Sequence, residues 1–279
     1  MEIRNKGVRT TATIILGVVA VVFFLYPLVW LLLNSFKDTT EIMTGNSFSF
    51  PTKWKLANYT DALFARNILR YFGNSVFITT CTILLTVTLS LMLGYALTRM
   101  RWRQAPQVSS MLALGMMLPS QIVIVPIFIL LRQLHLVNNP LSLILTVTAF
   151  NIPLSAIISA SFLKSIPYEM EEAGLIDGAN LYTILTRIIL PQLKPALSAM
   201  SINIFINSWN EFIYALVLIV GKQWRTLPIA LMNYSSGKYG TDYGGMFAAM
   251  VITSLLPIAL FVFFSDEVEK SLSAGALLK

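Results

Sequence analysis

Residues 11–33 read TATIILGVVAVVFFLYPLVWLLL without one charged side chain, and further apolar stretches follow at about 74–98, 108–131, 140–163, 196–220 and 246–264. A hydrocarbon layer about 30 Å thick takes roughly 20 apolar residues per helical crossing, so each of the six is long enough to span it. Composition agrees: 56% hydrophobic and 12% charged residues leave too little polar surface for an ordinary soluble domain. The expectation is an all-α polytopic membrane protein of six transmembrane helices, one domain over 1–279. No repeat, low-complexity tract or flexible linker divides it.

Charge sets the orientation and narrows the partners. The formal net charge of +7 is spread among short loops instead of one basic stripe, which argues against nucleic acid and for flanking anchors in contact with lipid. Arg4, Lys6 and Arg9 precede the first span and Arg99, Arg101 and Arg103 follow the second, so the positive-inside rule places both sets in the cytoplasm. Summed over all loops the bias is weaker, because a long outer loop holds Lys37, Lys53, Lys55, Arg66 and Arg70. An even number of spans then puts both termini in the cytoplasm, with outer loops at about 34–73, 132–139 and 221–245 and inner ones at about 99–107 and 164–195. The basic start resembles a signal peptide, but its apolar run reaches Leu33 without a small-residue cleavage site and reads as a retained anchor.

Chemistry-bearing residues are sparse. Cys81 is the sole cysteine and falls in the second span, so no intrachain disulfide forms. The sole histidine, His135, permits neither a His-based zinc site nor a Ser-His-acid triad. No catalytic or metal residues are therefore assigned. There is also no G-x-x-x-x-G-K loop, so any nucleotide must bind another polypeptide.

The polar insert at about 164–195, containing EEAGLIDGANLYTILTRIILP, stands out. Pro167 suits a first helical turn, and Glu169, Glu171 and Glu172 suit the positive end of the helix dipole. Asp177-Gly178 reads as a break, with Asp177 capping a second helix over about Ala179 to Leu190. Pro191 and Pro195 discourage its continuation. Ala173, Gly174, Gly178 and Ala179 cluster at the bend, where small residues let another surface approach. Two uses remain open from spacing alone: a connector whose acids face water, and a docking element whose acids pair with arginines on a partner.

In the fifth span Asn203, Asn207, Asn210, Glu211 and Tyr214 recur at intervals of three and four, on one helical face. An intramembrane glutamate faces a bundle interior or water, so this face lines a pathway or a contact between membrane chains. Amides donate and accept hydrogen bonds, as sugar hydroxyls require. Gln121, Asn151 and Asn74 are weaker pathway candidates. An alternative reading is a stand-alone carrier driven by an ion gradient, with Glu211 as the ion site. The outer loop 34–73 holds Phe50-Pro51 and Trp54 to Tyr59, suited to a short helix on the membrane surface.

Glu172-Ala173-Gly174, Gly178, Ile188 and Leu190-Pro191 resemble the cytoplasmic loop of permease subunits from binding-protein-dependent ABC importers, with Gly174 where a second alanine is usual. Ile176-Asp177-Gly178-Ala179 is similar to the carbohydrate branch. So are Asn34-Ser35-Phe36-Lys37, Asn58-Tyr59, Asn74-Ser75, Ser208 to Phe212 and Ser273 to Ala276, which resemble maltose-type and multiple-sugar permeases. The resemblance implies a type I importer permease fold in a bacterial cytoplasmic membrane, with a coupling helix between spans four and five. It implies as partners a second homologous permease, two ATPase subunits that use ATP and Mg, an extracytoplasmic sugar-binding protein and a sugar, an oligosaccharide by preference. Glu172, Ala173, Gly174, Asp177, Gly178 and Ala179 would then meet an ATPase. Tyr234, Ser235, Ser236, Gly237, Lys238 and Tyr239 would meet the binding protein.

Overall fold

The computed structural model describes residues 2–234 and 241–263, with side chains from Thr13 onward. The described residues contain helices and no strand. In chain order the helices are α1 (Glu2–Asn34), α2 (Thr39–Thr44), α3 (Ala57–Thr60, continued by a π turn over Asp61–Ala65) and α4 (Ile68–Arg99). Then come α5 (Ala105–Met117), α6 (Ile124–Gln133, entered through a 3-10 turn over Ser120–Val123), α7 (Pro140–Ser165) and α8 (Glu169–Ile176). A helical segment α9 (Leu181–Gln192), with a π stretch over Ile184–Ile189, leads to α10 (Lys194–Trp209), α11 (Ile213–Leu218), α12 (Leu227–Met232) and α13 (Tyr243–Phe263).

Four of these, α1 from Thr13, α4, α7 and α13, are each long and apolar enough to cross a bilayer. Two bent pairs raise the number to as many as six: α5 with Ser120–Gln133, bent by 95°, and α9 with α10, bent by 78°. Along α1 the apolar side chains are exposed on every side, Ile14, Phe23 and Phe24 among them, as contact with lipid tails allows. The tail motif Ser273 to Ala276 and the last residue of the sixth predicted span, Phe264, lie outside the described residues.

Two predicted spans are corrected. The third, 108–131, is not one helix, because Pro119 and the residue before it, Leu118, are both extended (ψ 122 and 117). A proline ring disfavours helical backbone at the preceding residue, which forces the turn. The fifth, 196–220, stops at Trp209 and restarts at Ile213, with the break held by Glu211, whose Oε1 accepts the Tyr214 backbone N–H at 2.7 Å.

The chain forms two compact units, one from residues up to Arg70 with Ala230–Pro257, the other from Tyr71–Ile229 with the described residues from Ile258. In the first, the buried Asn58 amide donates to the carbonyls of Ser35 and Lys37, both at 2.9 Å, and the Tyr59 and Ser35 hydroxyls lie 2.6 Å apart. Lys37 is fully buried, its ammonium aimed at the carbonyls of Asn46 and Ser47 at 3.4 and 3.2 Å. The Asn34-Ser35-Phe36-Lys37 and Asn58-Tyr59 motifs thus serve one network at the end of α1.

In the second unit one core gathers Ile78, Leu143, Val147, Tyr214 and Leu218, and another gathers Leu163, Ile184, Ile189 and Ala196. Asn74 donates to the carbonyls of Gln223 and Arg225, both at 2.9 Å, and Ser75 accepts the Leu227 N–H. Asn74 is therefore a clamp on the turn around Gln223 and Arg225.

Candidate functional site

The insert is a short helix, a left-handed turn and a second helical segment. Asp177 closes α8, its N–H reaching the Ala173 carbonyl. Gly178 takes φ 81°, the left-handed conformation that glycine adopts without steric cost, and Ala179 N–H returns to the Gly174 carbonyl at 2.9 Å. Two expectations are corrected here. Asp177 does not cap the second helix: Asn180 does, its side-chain oxygen accepting the Thr183 N–H at 2.9 Å. Pro191 does not end that helix: the backbone stays helical through Ile189 and Leu190 after the π stretch, and the bend comes at Leu193.

The predicted docking residues divide between two sides. Glu172, Ala173, Asp177 and Gly178 are exposed, and around them stand exposed Leu175, Ile176, Leu181 and Tyr182. Ala179 is half-buried and Gly174 is buried, packed inward. A methyl group on Gly174 would meet Ile188 Cδ1 at 2.6 Å and Ile184 Cγ1 at 3.6 Å. Gly174 therefore lets α8 lie close to α9 within the insert, a correction to the idea that it opens the outer surface. Since the obstacle is the end of a flexible side chain, Gly174→Ala is expected to shift Ile188 and change thermal stability by less than ~1 kcal/mol, with transport retained. Melting of the purified variant measures this.

By position Glu171 is one more acid of the first turn, yet it is 3% exposed while its neighbour Glu172 faces out. Adjacent residues on a helix point about 100° apart, so they could not share one surface. That spacing was the available signal. What it could not supply was the partner, Arg99, distant in sequence.

The second candidate region is a cavity of about 240 Å³ lined by Ser120, Phe150, Asn151, Asn207, Glu211 and Tyr214 among others. Asn207 Nδ2 donates to Asn151 Oδ1 at 2.8 Å and to Asn203 Oδ1 at 3.1 Å. The Tyr214 hydroxyl donates to the Ser120 carbonyl. Because the helix breaks after Trp209, the five predicted residues do not share one helical face. Asn207, Glu211 and Tyr214 still meet in the cavity, whereas Asn210 turns its amide back to the Ile206 carbonyl at 2.9 Å. Asn151 joins the cavity and Gln121 is exposed.

Of the predicted outer contact loop, Ser235, Ser236, Gly237, Lys238 and Tyr239 lie outside the described residues. Tyr234 is buried, with the Arg66 guanidinium 4.2 Å from its ring centroid and Arg66 paired to Asp242 at 2.9 Å. Burial pushes its phenol up to about 12, against the opposing pull of the Arg66 charge. Tyr234 therefore anchors the start of the loop from inside.

Residues 86–274 match the family described as the inner membrane component of binding-protein-dependent transport systems. The chain is 33% identical to the diacetylchitobiose uptake system permease protein NgcG of Streptomyces coelicolor, covering 91% of this chain and 84% of that one. It is 32% identical to the arabinooligosaccharides transport system permease protein AraQ of Halalkalibacterium halodurans, covering 90% of each. Among solved structures, a chain of a bacterial ABC transporter involved in import of the acidic polysaccharide alginate superposes with a TM-score of 0.79 at 22% identity, covering 95% of this chain and 96% of that one.

Proposed function

Since this chain belongs to the family of inner-membrane components of binding-protein-dependent transport systems, and is thus a non-enzymatic permease subunit of an ABC importer, we propose that its solute is a carbohydrate, an oligosaccharide in particular. In this reading it pairs with a second, related permease to enclose the pathway, stands on two ATPase subunits that use ATP and Mg, and receives sugar from an extracytoplasmic binding protein. The chain crosses the membrane six times, the bent segments completing the third and fifth crossings, with both termini in the cytoplasm. Arg4, Lys6, Arg9 and the Arg99, Arg101, Arg103 group support that orientation.

The observation that carries the ATPase contact is the outer surface of the insert, where exposed Glu172 and Ala173 stand among exposed Leu175, Ile176, Leu181 and Tyr182. A charged residue ringed by apolar side chains on a stiff, bent support has the makings of a protein interface. Relatives named for diacetylchitobiose and arabinooligosaccharides support the solute class. Uptake of labelled mono-, di- and trisaccharides by cells with and without the gene tests it, with a loss confined to the longer sugars expected. Uptake that is the same with and without the gene for all three sugars would refute the carbohydrate reading.

The cavity at Asn151, Asn207, Glu211 and Tyr214 is assigned to the pathway wall. It offers a carboxylate and two amides beside the Phe150 and Tyr214 rings, groups that suit hydroxyls and the apolar faces of a sugar. Asn207→Leu removes one amide and is expected to raise the KM for uptake about fivefold to tenfold with the amount of assembled complex unchanged. A lower yield with unchanged KM would instead assign Asn207 to packing between chains.

A further inference from the structure

Glu171 and Arg99 form a buried ion pair that joins three elements. Arg99 Nε lies 2.7 Å from Glu171 Oε1, with side chains 10% and 4% exposed. The Tyr95 hydroxyl donates to Glu171 Oε2 at 2.9 Å. The same guanidinium donates through Nη2 to the carbonyls of Leu163 and Ile166, at 2.9 and 2.7 Å, where α7 ends. Arg99 is the last residue of α4, and Glu171 lies in the first turn of α8. One guanidinium therefore ties the end of α4 to the end of α7 and to the start of the insert.

An apolar pair of similar volume would hold these helices together as well, since the desolvation of two charges consumes much of their attraction. What the ion pair adds is direction. A planar guanidinium with several donors fixes orientation as well as proximity. Separating the partners would leave each charge buried alone, so α8 cannot move away from α4 without a large penalty. The link between α7 and α8, Ile166 to Tyr168, has no helix of its own and would otherwise absorb such a movement.

We propose that Glu171 is a positioning residue that makes α8 and the end of α4 one rigid body, so that displacement of the insert is delivered to the membrane-spanning length of α4. The proposal rests on the reading of the insert as the ATPase contact. Glu172, on the outer side, engages the partner; Glu171, on the inner side, passes the motion on.

The test uses the complete importer with spin labels at exposed Met170 on α8 and exposed Met92 on α4, in a complex otherwise free of cysteine, Cys81→Ala included. The parent should give one narrow distance, unchanged by ATP. Glu171→Gln keeps the shape but removes the charge, and Arg99→Met with Glu171→Leu removes both charges, so that none is left buried and unpaired. Both are expected to broaden the distance and to reduce binding-protein-stimulated ATP hydrolysis about tenfold. Cross-linking from Ile176→Cys to the ATPase should persist in both. A parent distance that changes with ATP would overturn the proposal even where the variants fail to assemble. So would variants that retain both the narrow distance and full stimulation. A parent without the cross-link would refute the coupling reading itself, and with it the transmission of motion, while a cross-linked parent with unaffected variants refutes the clamp alone.

Discussion

In a purified importer, Glu172→Arg is expected to strip the ATPase subunits from this chain while leaving its own helices folded. Glu172 is exposed in the first turn of α8, where its charge also suits the helix dipole. Reversing it places a cation at that dipole and, in the proposed interface, inverts the charge presented to the ATPase. Truncating one member of a buried interfacial charge pair costs about 2–5 kcal/mol, and like charges in its place add repulsion, enough to lower affinity by two or more orders of magnitude. Because Glu172 makes no ion pair with the described residues of its own chain, the melting temperature of the isolated permease should change little. Co-purification of the ATPase measures the first effect and a thermal scan the second. Undiminished attachment with normal transport would remove Glu172 from the interface.

Gly244→Ala is expected to be the most damaging single methyl group in the first unit. The added carbon would overlap the Lys37 carbonyl oxygen and stand 2.7 Å from Asn58 Nδ2, the donor that already serves that carbonyl. A backbone atom cannot rotate away as Ile188 can from Gly174. Either α13 shifts at its start, where Tyr243 N–H bonds Thr39 at 3.1 Å, or Asn58 surrenders its two hydrogen bonds. Overpacking costs about 1–3 kcal/mol and each lost buried hydrogen bond about 1 kcal/mol more. Folded protein recovered from membranes should fall severalfold. Gly17→Ala is the control, since its methyl would meet nothing within 4 Å and alanine favours a helix over glycine by about 1 kcal/mol. Equal recovery of the two variants would contradict the packing described here.

These contrasts mark how far local sequence carries. The apolar runs located every long helix, because their length answers to the bilayer and not to neighbours in the fold. Asp177-Gly178 located the bend, because left-handed backbone favours glycine. Caps and breaks were less legible. Asn180 and Asp177 are both good capping residues, and the choice between them depends on where the left-handed turn releases the chain. The break at Asn210 to Phe212 carries no proline or glycine, and depends on the Glu211 carboxylate reaching the Tyr214 N–H.

Contacts between distant segments were not legible at all. Asn203, Asn207 and Glu211 were recognised by period, but Asn151 and Ser120, which complete the cavity, come from other elements. Glu171 was visible as an acid and Arg99 as a membrane anchor. Only the fold brings them to 2.7 Å and turns two apparent surface charges into one buried pair.

The most direct test is reconstitution of this chain in liposomes, alone and with the proposed partner permease, ATPase subunits and loaded binding protein. Sugar uptake is expected only in the complete assembly, and only while ATP lasts, whatever ion gradient is imposed. Uptake by the chain alone under an ion gradient, surviving ATP depletion and abolished by Glu211→Gln, would contradict it.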